Sequence, residues 1–403
     1  MEYILHEVTT REDIKKFLDL PDAINKNDRN WIRPLDNDIE AVFDPAKNKC
    51  FNDGAAIRWI VFDEDRKVVG RIAAFYSDEQ AQKEVVLTGG CGFFDSINSQ
   101  EVANMLFSAA RTWLDAKGMQ AMDGSVNFGD RMSWWGVLVD GFHKPTYTMN
   151  YNQPYYKELF ENYGFQVYFN QHTYRSDLHD YKKLDDALYA KAQRLFDNPD
   201  YAFRSFDTYN PNKMASDFME VYNSAWVGHD GVKPITIEHA QEILKAMKPI
   251  LDPETLFFGY YKEQPIGFFV TLPDINPLIR SFKGKFGILN KLKMLLRLKR
   301  KTATRLTGLV FGVHKDFQGK GIESALIKSL ENYVFASKAN GKEQYSVLEM
   351  QWVGDFNPVM MRMIESYVKG YRYKQHVTFR YLFDRTADFE RCPRLGAKRK
   401  EKL

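Results

Sequence analysis

Residues 306–324 read LTGLVFGVHKDFQGKGIES. The apolar run Leu309–Val313 predicts a strand, and from Ile322 onward apolar residues recur at the spacing of one helix face. Between them lies a turn, residues 318–321, that contains two glycines. A strand, a turn and a helix in this order leave several backbone N–H groups unpaired near the positive end of the helix. The segment is therefore a candidate anion site, most naturally for phosphate, although an ordinary tight turn of an α/β domain would look the same.

Two common phosphate-binding loops do not fit this turn, because neither G-x-G-x-x-G nor G-x-x-x-x-G-K-S/T occurs in it. The turn instead resembles the acetyl-coenzyme A loop of the GCN-five-related N-acetyltransferases, the GNAT family. That loop has Gln or Arg, then two residues, Gly, one residue, and Gly or Ala. Gln318 and Gly321 match the first two defining positions, whereas Glu323 stands at the last. We expect the Glu323 carboxylate to face the pyrophosphate and to lower coenzyme affinity.

Length and composition exclude several classes of protein. The chain has 403 residues, so two domains of about 200 residues are expected. Its net charge of +3 is too small to indicate nucleic-acid binding by the whole chain. Cys50, Cys91 and Cys392 lie far apart without C-x-x-C spacing, which predicts no disulfide or metal site and favours a cytoplasmic location. No stretch has the apolar core of a signal peptide or the length of a membrane span, so neither is expected.

The two halves of the chain repeat one plan. Residues 58–75 and 256–272 both read as a hairpin with a glycine early in the second arm. The segments 161–175 and 365–380 also correspond, since each has a Glu-x-Tyr followed by a Gln-His strand that ends in Arg. This pattern predicts an internal duplication.

The predicted elements give an α/β fold in which a mixed sheet is flanked by helices. Their order resembles that of GNAT proteins in duplicate, which implies a tandem GNAT-like acyl-CoA N-acyltransferase fold. The resemblance divides the chain into a degenerate GNAT-like domain at 1–180, a GNAT-like domain at 200–385 with a basic insert at 275–305, and a basic tail at 386–403. We place the boundary in the polar stretch 179–199 and expect Arg391–Lys402 of the tail to be disordered.

Further segments resemble the YghO-like group of GNAT-related proteins. They are Asn30–Pro34, Gly92–Phe94, Trp113–Met119, Asn127–Phe128, Leu138–Phe142 and Tyr151–Tyr156.

The resemblance implies acetyl-CoA or another acyl-CoA as cosubstrate, and no metal. The residues that would bind it are Phe311, Gly312, Val313, Gln318, Gly319, Lys320, Gly321, Ile322, Glu323 and Asn357. Asn357 matches the GNAT position whose side chain meets the pantetheine, and it also suits a helix N-cap before Pro358; the two roles are compatible. The corresponding turn of the first half, residues 95–99, has no glycine. We therefore expect coenzyme in the second half alone.

Catalytic groups are less clearly indicated. For the general base we name Glu349, in a strand beside the expected cleft, and second Asp355; burial of such a carboxylate raises its pKa. GNAT enzymes often carry a Tyr seven residues after the Asn, where this chain has Ile364. Tyr367 lies one turn further and is our candidate acid. A solvated strand carboxylate and a core tyrosine are the alternatives.

In the first half, Asn127, Asp130, Trp134 and Trp135 form a polar and aromatic loop after a strand. Such a loop is suited to line an acceptor cleft. The alternative, which we favour at this stage, is an aromatic-rich interface between the domains.

A basic segment falls outside the family pattern. Residues 275–315 hold eleven Lys or Arg and no Asp or Glu. Within them, Phe286–Lys301 has the pattern of a basic amphipathic helix with an apolar stripe, formed by Ile288, Leu289, Leu292, Leu295 and Leu296. Such a helix suits an anionic membrane surface, a partner or an acceptor groove. The alternative is a helix that covers its own domain and leaves a basic face in water.

The resemblance to the GNAT family thus implies an acyl-CoA-dependent N-acyltransferase that transfers an acetyl or longer acyl group to a small-molecule or peptide amine. A non-catalytic GNAT-like protein that binds a ligand or partner is the alternative. Nucleic acid is not the expected partner, because the basic insert lacks an accompanying motif for stacking on bases.

Overall fold

The computed structural model describes residues 2–178, 186–226, 234–341 and 344–396. The strands are β1 (Ile4–Glu7), β2 (Gly54–Phe62), β3 (Val68–Ser77), β4 (Thr88–Ser96), β5 (Ala121–Gly124), β6 (Val137–Asp140), β7 (Gln166–Asp177), β8 (Tyr201–Ser205), β9 (Phe257–Tyr261), β10 (Gln264–Pro273), β11 (Arg305–Val313), β12 (Val347–Gly354) and β13 (Tyr371–Leu382).

The α-helices are α1 (Arg11–Ile24), α2 (Asp36–Val42), α3 (Asp78–Ala81), α4 (Gln100–Asp115), α5 (Tyr156–Tyr163), α6 (Asp186–Phe196), α7 (Pro211–Trp226), α8 (Ile237–Met247), α9 (Asn276–Ile279), α10 (Ile288–Lys299), α11 (Ile322–Ala339) and α12 (Pro358–Arg362). A π-helix, Met363–Val368, continues α12. The strand predicted from Leu309–Val313 and the helix predicted to begin at Ile322 therefore form as β11 and α11.

The strands form one continuous mixed sheet that is flanked by helices. Its order is β1-β2-β3-β4-β5-β13-β7-β12-β11-β10-β9-β8, and β6 pairs with β13 beside this path. Within each half, one pair of neighbouring strands is parallel: β4 with β5 in the first half and β11 with β12 in the second. Each of these pairs is joined by a long helix, α4 or α11, as a parallel connection requires.

The last strand of each half pairs with the other half. Strand β7 lies against β12, whereas β13 lies against β5, and β7 and β13 also pair with each other. All three pairings are antiparallel. Residues 1–180 and 200–385 therefore share their central strands, and the sheet runs without a break from one half to the other.

In the second half, helices cover both faces of the sheet. One apolar cluster joins α11 and α6 to Leu306, Phe311 and Leu348, and a second joins α7 and α8 to Leu309 and Val310. Strand β11 thus contributes side chains to both faces.

Strands β11 and β12 diverge along their length. Their parallel pairing covers Arg305–Gly308 and Val347–Met350 and ends there. Beyond it, Leu309–Val313 still pairs with β10 on its other side, apart from a register shift in β10 between Val270 and Thr271. The edge of β11 that faces β12 is therefore open from Leu309 to Val313.

The predicted basic tail is partly attached to the rest of the chain, contrary to our expectation of disorder. The backbone N–H of Leu395 donates to the Phe356 carbonyl at 2.9 Å, and that of Cys392 donates to the Tyr168 carbonyl at 3.0 Å. Residues 397–403 lie outside the described part of the chain, as do residues 179–185 of the predicted boundary.

Candidate active site

A large cavity of about 730 Å³ opens where β11 and β12 diverge. Its lining combines Leu309 and Val310, which belong to the α7 face of the sheet, with Phe311 and Met350, which belong to the α11 face. The cavity therefore passes through the sheet between the two strands and is bordered by both layers of helices. We call it the β11–β12 cavity.

Most of the wall on the α11 face is apolar. It is formed by Ile327 and Leu330 of α11, by Leu348 and Met350 of β12, and by Met360, Met363, Ile364 and Val368 of α12 and its π-helical continuation. Along β12 the lining extends from Leu348 to Gly354, a span of about 20 Å at the rise of an extended strand. A long, mostly apolar wall with several methionines suits a flexible apolar ligand, since methionine side chains adapt their shape.

Polar groups line the cavity beside α7. Asp130 and Arg131 come from the first half of the chain, and Tyr222 comes from α7. The Arg131 carbonyl accepts a hydrogen bond from Trp352 Nε1 at 3.3 Å, which ties the first-half loop to β12. The loop that contains Asp130, Trp134 and Trp135 therefore contributes to the cavity itself.

Asp130 differs from the other carboxylates that line the cavity. Glu84 pairs with Arg380 at 3.3 Å, and Glu331 pairs with Lys328. In the described part of the chain, Asp130 has no cationic side chain within 4.0 Å; its carboxylate accepts from the Met132 N–H at 2.9 Å. The Asp130 side chain is exposed to solvent on one side, and the protein on its other side shields the carboxylate from part of the water, which raises the pKa of Asp130 above its ordinary value.

Tyr222 lies close enough to Asp130 for the two to interact electrostatically. Burial raises the pKa of the Tyr222 hydroxyl, and the Asp130 carboxylate raises it further. Tyr222 therefore keeps its proton at neutral pH, while Asp130 is a carboxylate with increased affinity for a proton. Together they provide a hydrogen-bond donor and a proton acceptor beside one cavity.

Asn357 lines the cavity at the start of α12. Its side-chain oxygen accepts from the Met360 N–H at 3.2 Å, so it is the N-cap residue. The expected position beside the cleft and the helix-capping role thus occur together.

The predicted coenzyme loop has the backbone of an anion site. Gly319 and Gly321 have φ angles of +72° and +91°, which favour glycine, and Gly321 is the N-cap residue of α11. Within the described residues, the N–H groups of Gly319, Gly321 and the first three residues of α11 donate to no protein acceptor. Gln318 Nε2 donates to the Val313 carbonyl at 3.3 Å and ties the loop to the end of β11.

The expected coenzyme residues are divided between the cavity and its surroundings. Phe311 and Asn357 line the β11–β12 cavity. The others lie beyond the cavity lining, in the last residues of β11, in the loop and in the first turn of α11; they are Gly312, Val313, Gln318, Gly319, Lys320, Gly321, Ile322 and Glu323.

Glu349 is fully buried and lies away from the cavity. One carboxylate oxygen pairs with Lys374, and the other accepts from Arg305 Nη1 at 2.9 Å. Both neighbouring residues, Leu348 and Met350, line the cavity, so strand alternation points Glu349 to the opposite face. The described structure gives this carboxylate two cationic partners and no open side.

The candidate base Asp355 also lies outside the cavity lining. The Asp355 carboxylate accepts from Asn170 Nδ2 at 2.8 Å and from Arg391 Nη2 at 2.6 Å. The side chain of Tyr367 is outside the described part of the structure. Ile364, at the position where GNAT enzymes often carry a tyrosine, forms part of the apolar wall.

Comparisons with known proteins identify the fold. No protein-family model matches the chain. It is 27% identical over 387 residues to a protein named Bacterial ceramide synthase from Caulobacter vibrioides, an alignment that covers 92% of this chain and 94% of that protein. It is 25% identical over 371 residues to Protein YghO from Escherichia coli, with 88% and 89% of the two chains covered.

Solved structures on which the chain superposes are those of GNAT proteins. The chain superposes on a GCN5-related glucosamine N-acetyltransferase region of a fungal GH3 β-N-acetylglucosaminidase with a TM-score of 0.54 and 13% identity, over 94% of this chain and 38% of that one. It superposes on a tandem GNAT protein from the clavulanic acid biosynthesis pathway with a TM-score of 0.52 and 10% identity, over 94% and 98% of the two chains. The chain has a YghO-like tandem GNAT fold.

The two halves of this tandem GNAT fold differ in the size of the cavity beside their parallel strand pair. In the first half, the parallel pairing of β4 and β5 ends at Gly90 and Asp123. In the second half, the parallel pairing of β11 and β12 ends in the same way at Gly308 and Met350. The nearby cavity is only about 60 Å³, and Trp134, Tyr151 and Tyr156 are buried beside it. Bulky aromatic side chains occupy space that is open in the second half.

Tyr222 is the residue of the tandem GNAT site that sequence reasoning missed. It lies in an ordinary amphipathic helix, and no motif distinguishes it from the neighbouring aromatic residues. The sequence indicated Asp130 only weakly, as part of a polar and aromatic loop after β5 that is suited to line a cleft. Neither pattern predicted that the two residues would meet at a cavity of the second half.

Within the described residues, no helix is both long and apolar enough to cross a bilayer. The same part of the chain contains no group of three or more His, Cys, Asp or Glu side chains arranged to hold a metal ion.

Proposed function

We propose that this chain is an acyl-CoA-dependent N-acyltransferase with one working site, the β11–β12 cavity. The observation that carries the proposal is the passage through the sheet between two parallel strands that diverge. Such a passage lets an acyl thioester enter from the α11 face and an amine from the α7 face, so that the reacting groups meet between the strands.

The coenzyme would be held at three places. The free N–H groups of the glycine loop, residues 318–321, and of the first turn of α11 would hold the pyrophosphate. The open backbone edge of Leu309–Val313 would bind the amides of the pantetheine arm, and Asn357 would contact the same arm. Glu323 in the first turn of α11 is the unfavourable element of this arrangement, because its carboxylate lies beside the phosphate position.

The acyl group would lie against the apolar wall of the cavity. An acetyl group needs little of a cavity of about 730 Å³. A wall of about 20 Å along β12, with Met350, Met360 and Met363 beside it, suits a long alkyl chain. We therefore propose a long-chain acyl-CoA as the donor.

Asp130 and Tyr222 would perform the proton transfers. An aliphatic amine is protonated at neutral pH, so Asp130 would first accept its proton, directly or through one water. The amine nitrogen then attacks the thioester carbonyl, a C–N bond forms and the C–S bond breaks. The departing thiolate takes a proton from Tyr222, and the acylated nitrogen loses its second proton to the Tyr222 phenolate, so that Tyr222 ends the step neutral. The candidates Glu349, Asp355 and Tyr367 remain alternatives that the same assays test.

The acceptor follows from the relative named a ceramide synthase. A ceramide is a long-chain amino alcohol that carries a fatty acyl group on its nitrogen. We propose that the acceptor of this chain is an amine of this class, whose alkyl chain would share the apolar lining of the cavity.

The test is an assay of the purified chain with palmitoyl-CoA or acetyl-CoA as donor and sphinganine or spermidine as acceptor. We expect release of free coenzyme A thiol and an N-acyl product by mass spectrometry with palmitoyl-CoA and sphinganine. No product with any pair, together with calorimetric binding of palmitoyl-CoA, would indicate the non-catalytic ligand-binding alternative. Product with acetyl-CoA and spermidine alone would contradict the proposed donor and acceptor classes.

A further inference from the structure

The apolar stripe of α10, formed by Ile288, Leu289, Leu292, Leu295 and Leu296, faces solvent. The exposed fractions of these residues are 77%, 74%, 53%, 47% and 54%, in that order. The sequence allowed a helix that covers its own domain with its apolar side, and the structure contradicts that alternative. Large aliphatic side chains in one exposed row indicate an interaction surface rather than single residues of an ordinary protein surface.

The helix is held in this orientation by its opposite face. Met294 is buried with Ile279 and Phe282 in a small apolar cluster. Arg297 donates to the Leu278 carbonyl and, at 3.0 Å, to Ser281 Oγ. The exposed stripe is therefore a fixed feature of the folded chain, because α10 is attached through a separate set of side chains.

Basic residues flank the exposed stripe on both sides. At 100° per residue, Lys293 and Arg300 border one side of the stripe and Lys291 borders the other. All three are exposed, and no Asp or Glu occurs between residues 275 and 315. The surface thus combines an apolar centre with a positively charged rim.

We propose that α10 docks this protein on the surface of an anionic phospholipid bilayer. The stripe would enter the boundary between headgroups and acyl chains, and the flanking Lys and Arg side chains would bind lipid phosphates. The helix would lie in the plane of the bilayer, since its opposite face is attached to the protein. The proposal rests on the geometry of α10 and not on the proposed chemistry of the cavity.

The charge of α10 favours an anionic bilayer over a second copy of the chain as its binding partner. A symmetric pair of α10 helices would place the basic rims of two copies against each other, and like charges at short range repel. An anionic bilayer offers both an apolar interior and negative charges on either side of the stripe. It therefore complements the centre and the rim together.

The test is co-sedimentation of the full chain with vesicles of phosphatidylcholine and phosphatidylglycerol in equal parts, and with vesicles of phosphatidylcholine alone. We expect binding to the anionic vesicles that weakens as salt is added, because exposed charges are screened over about 10 Å at 0.1 M ionic strength. Failure of the parent chain to bind anionic vesicles at low salt would overturn the proposal.

Two variants separate the contributions of the rim and the stripe. Lys291→Glu/Lys293→Glu/Arg300→Glu should weaken binding by about a hundredfold, since each basic residue near an anionic surface contributes roughly fivefold. Leu289→Gln/Leu292→Gln/Leu296→Gln should weaken it by at least about tenfold. Arg297 is left unchanged, because it attaches α10 to the protein.

The matched control for the stripe is Ile4→Gln/Val85→Gln/Leu395→Gln, which changes three exposed aliphatic residues elsewhere. This control should bind as the parent does, and circular dichroism should show that all variants are folded. Equal binding by the folded stripe variant and the parent would contradict the proposal. So would light scattering that shows a dimeric parent and a monomeric stripe variant without vesicle binding, a result that assigns the stripe to a second copy.

Discussion

Among the described carboxylates that line the β11–β12 cavity, Asp130 has the surroundings that best suit proton transfer. Glu349 and Asp355 are held by cationic or amide partners, whereas Asp130 lines the β11–β12 cavity and has no cationic side chain within 4.0 Å in the described part of the chain. A paired carboxylate is a weak base, since its partner stabilises the charged form. Partial shielding of the otherwise exposed Asp130 carboxylate from water has the opposite effect and raises its pKa. Its proton affinity is therefore closer to what a base needs near neutral pH.

We predict that Asp130→Asn lowers kcat by about 10²- to 10⁴-fold, because the amide has no basic oxygen for the amine proton. In the parent, kcat/KM should fall as the pH is lowered through the pKa of Asp130, and this decrease should be centred above 3.8, the ordinary value for aspartate. The variant should lack that step. Asp355→Asn is the matched control and should keep both the rate and the pH profile. A larger loss in the Asp355 variant would assign the base to Asp355.

Helix α12 and its π-helical continuation act as one wall of the cavity. Met360, Met363 and Ile364 line it, whereas Met361 lies in the same helical segment outside the lining. In the proposed reaction, this wall would set the space available to the acyl chain without involving the reacting groups.

We predict that Met360→Trp reduces kcat/KM for palmitoyl-CoA by at least about tenfold and changes that for acetyl-CoA little. The indole ring would occupy space along the wall that a long chain needs and a short one does not. Met361→Trp is the matched control, since the same substitution one residue away leaves the lining unchanged. The measurement is the ratio of the two kcat/KM values for each variant. A ratio in Met360→Trp equal to that of the parent would contradict the proposed path of the acyl chain.

The exchange of β7 and β13 unites the two halves in one sheet, and a buried ionic cluster lies where they meet. Glu349 of β12 pairs with Lys374 of β13 and with Arg305 of β11. Arg305 also pairs with Asp274 and donates to the Pro145 carbonyl of the first half at 2.9 Å. The cluster connects three strands of the sheet with a first-half loop.

We predict that Glu349→Gln destabilises the whole chain by roughly 3–5 kcal/mol, because Lys374 would remain buried without its carboxylate and Arg305 would keep only Asp274 as a carboxylate partner. Urea unfolding followed by circular dichroism measures this loss. Glu263→Gln is the control, since it removes a carboxylate from an exposed pair with Arg204 and should change stability little. The folded fraction of Glu349→Gln should keep the parent kcat. A loss of kcat by a factor of about 10² or more would instead assign Glu349 a catalytic role.

The sequence by itself determined the elements whose signals are local. The strand, turn and helix of residues 306–324 form as predicted, because periodic apolar residues and two glycines specify them within a short stretch. The repeated hairpins likewise indicated a duplicated plan, and the basic amphipathic pattern of Phe286–Lys301 predicted α10. Local patterns of this kind need no knowledge of which distant residues they contact.

Tertiary structure alone decided which groups share the site. Strand exchange brings a loop of the first half to β12, so that Asp130 and Tyr222 meet at one cavity. The direction of Glu349 and the exposure of the α10 stripe also depend on how strands and helices pack. Periodicity gives the two faces of a strand or helix, but it does not state which face meets the cavity, the core or the solvent. Contacts between residues far apart in the sequence decide that.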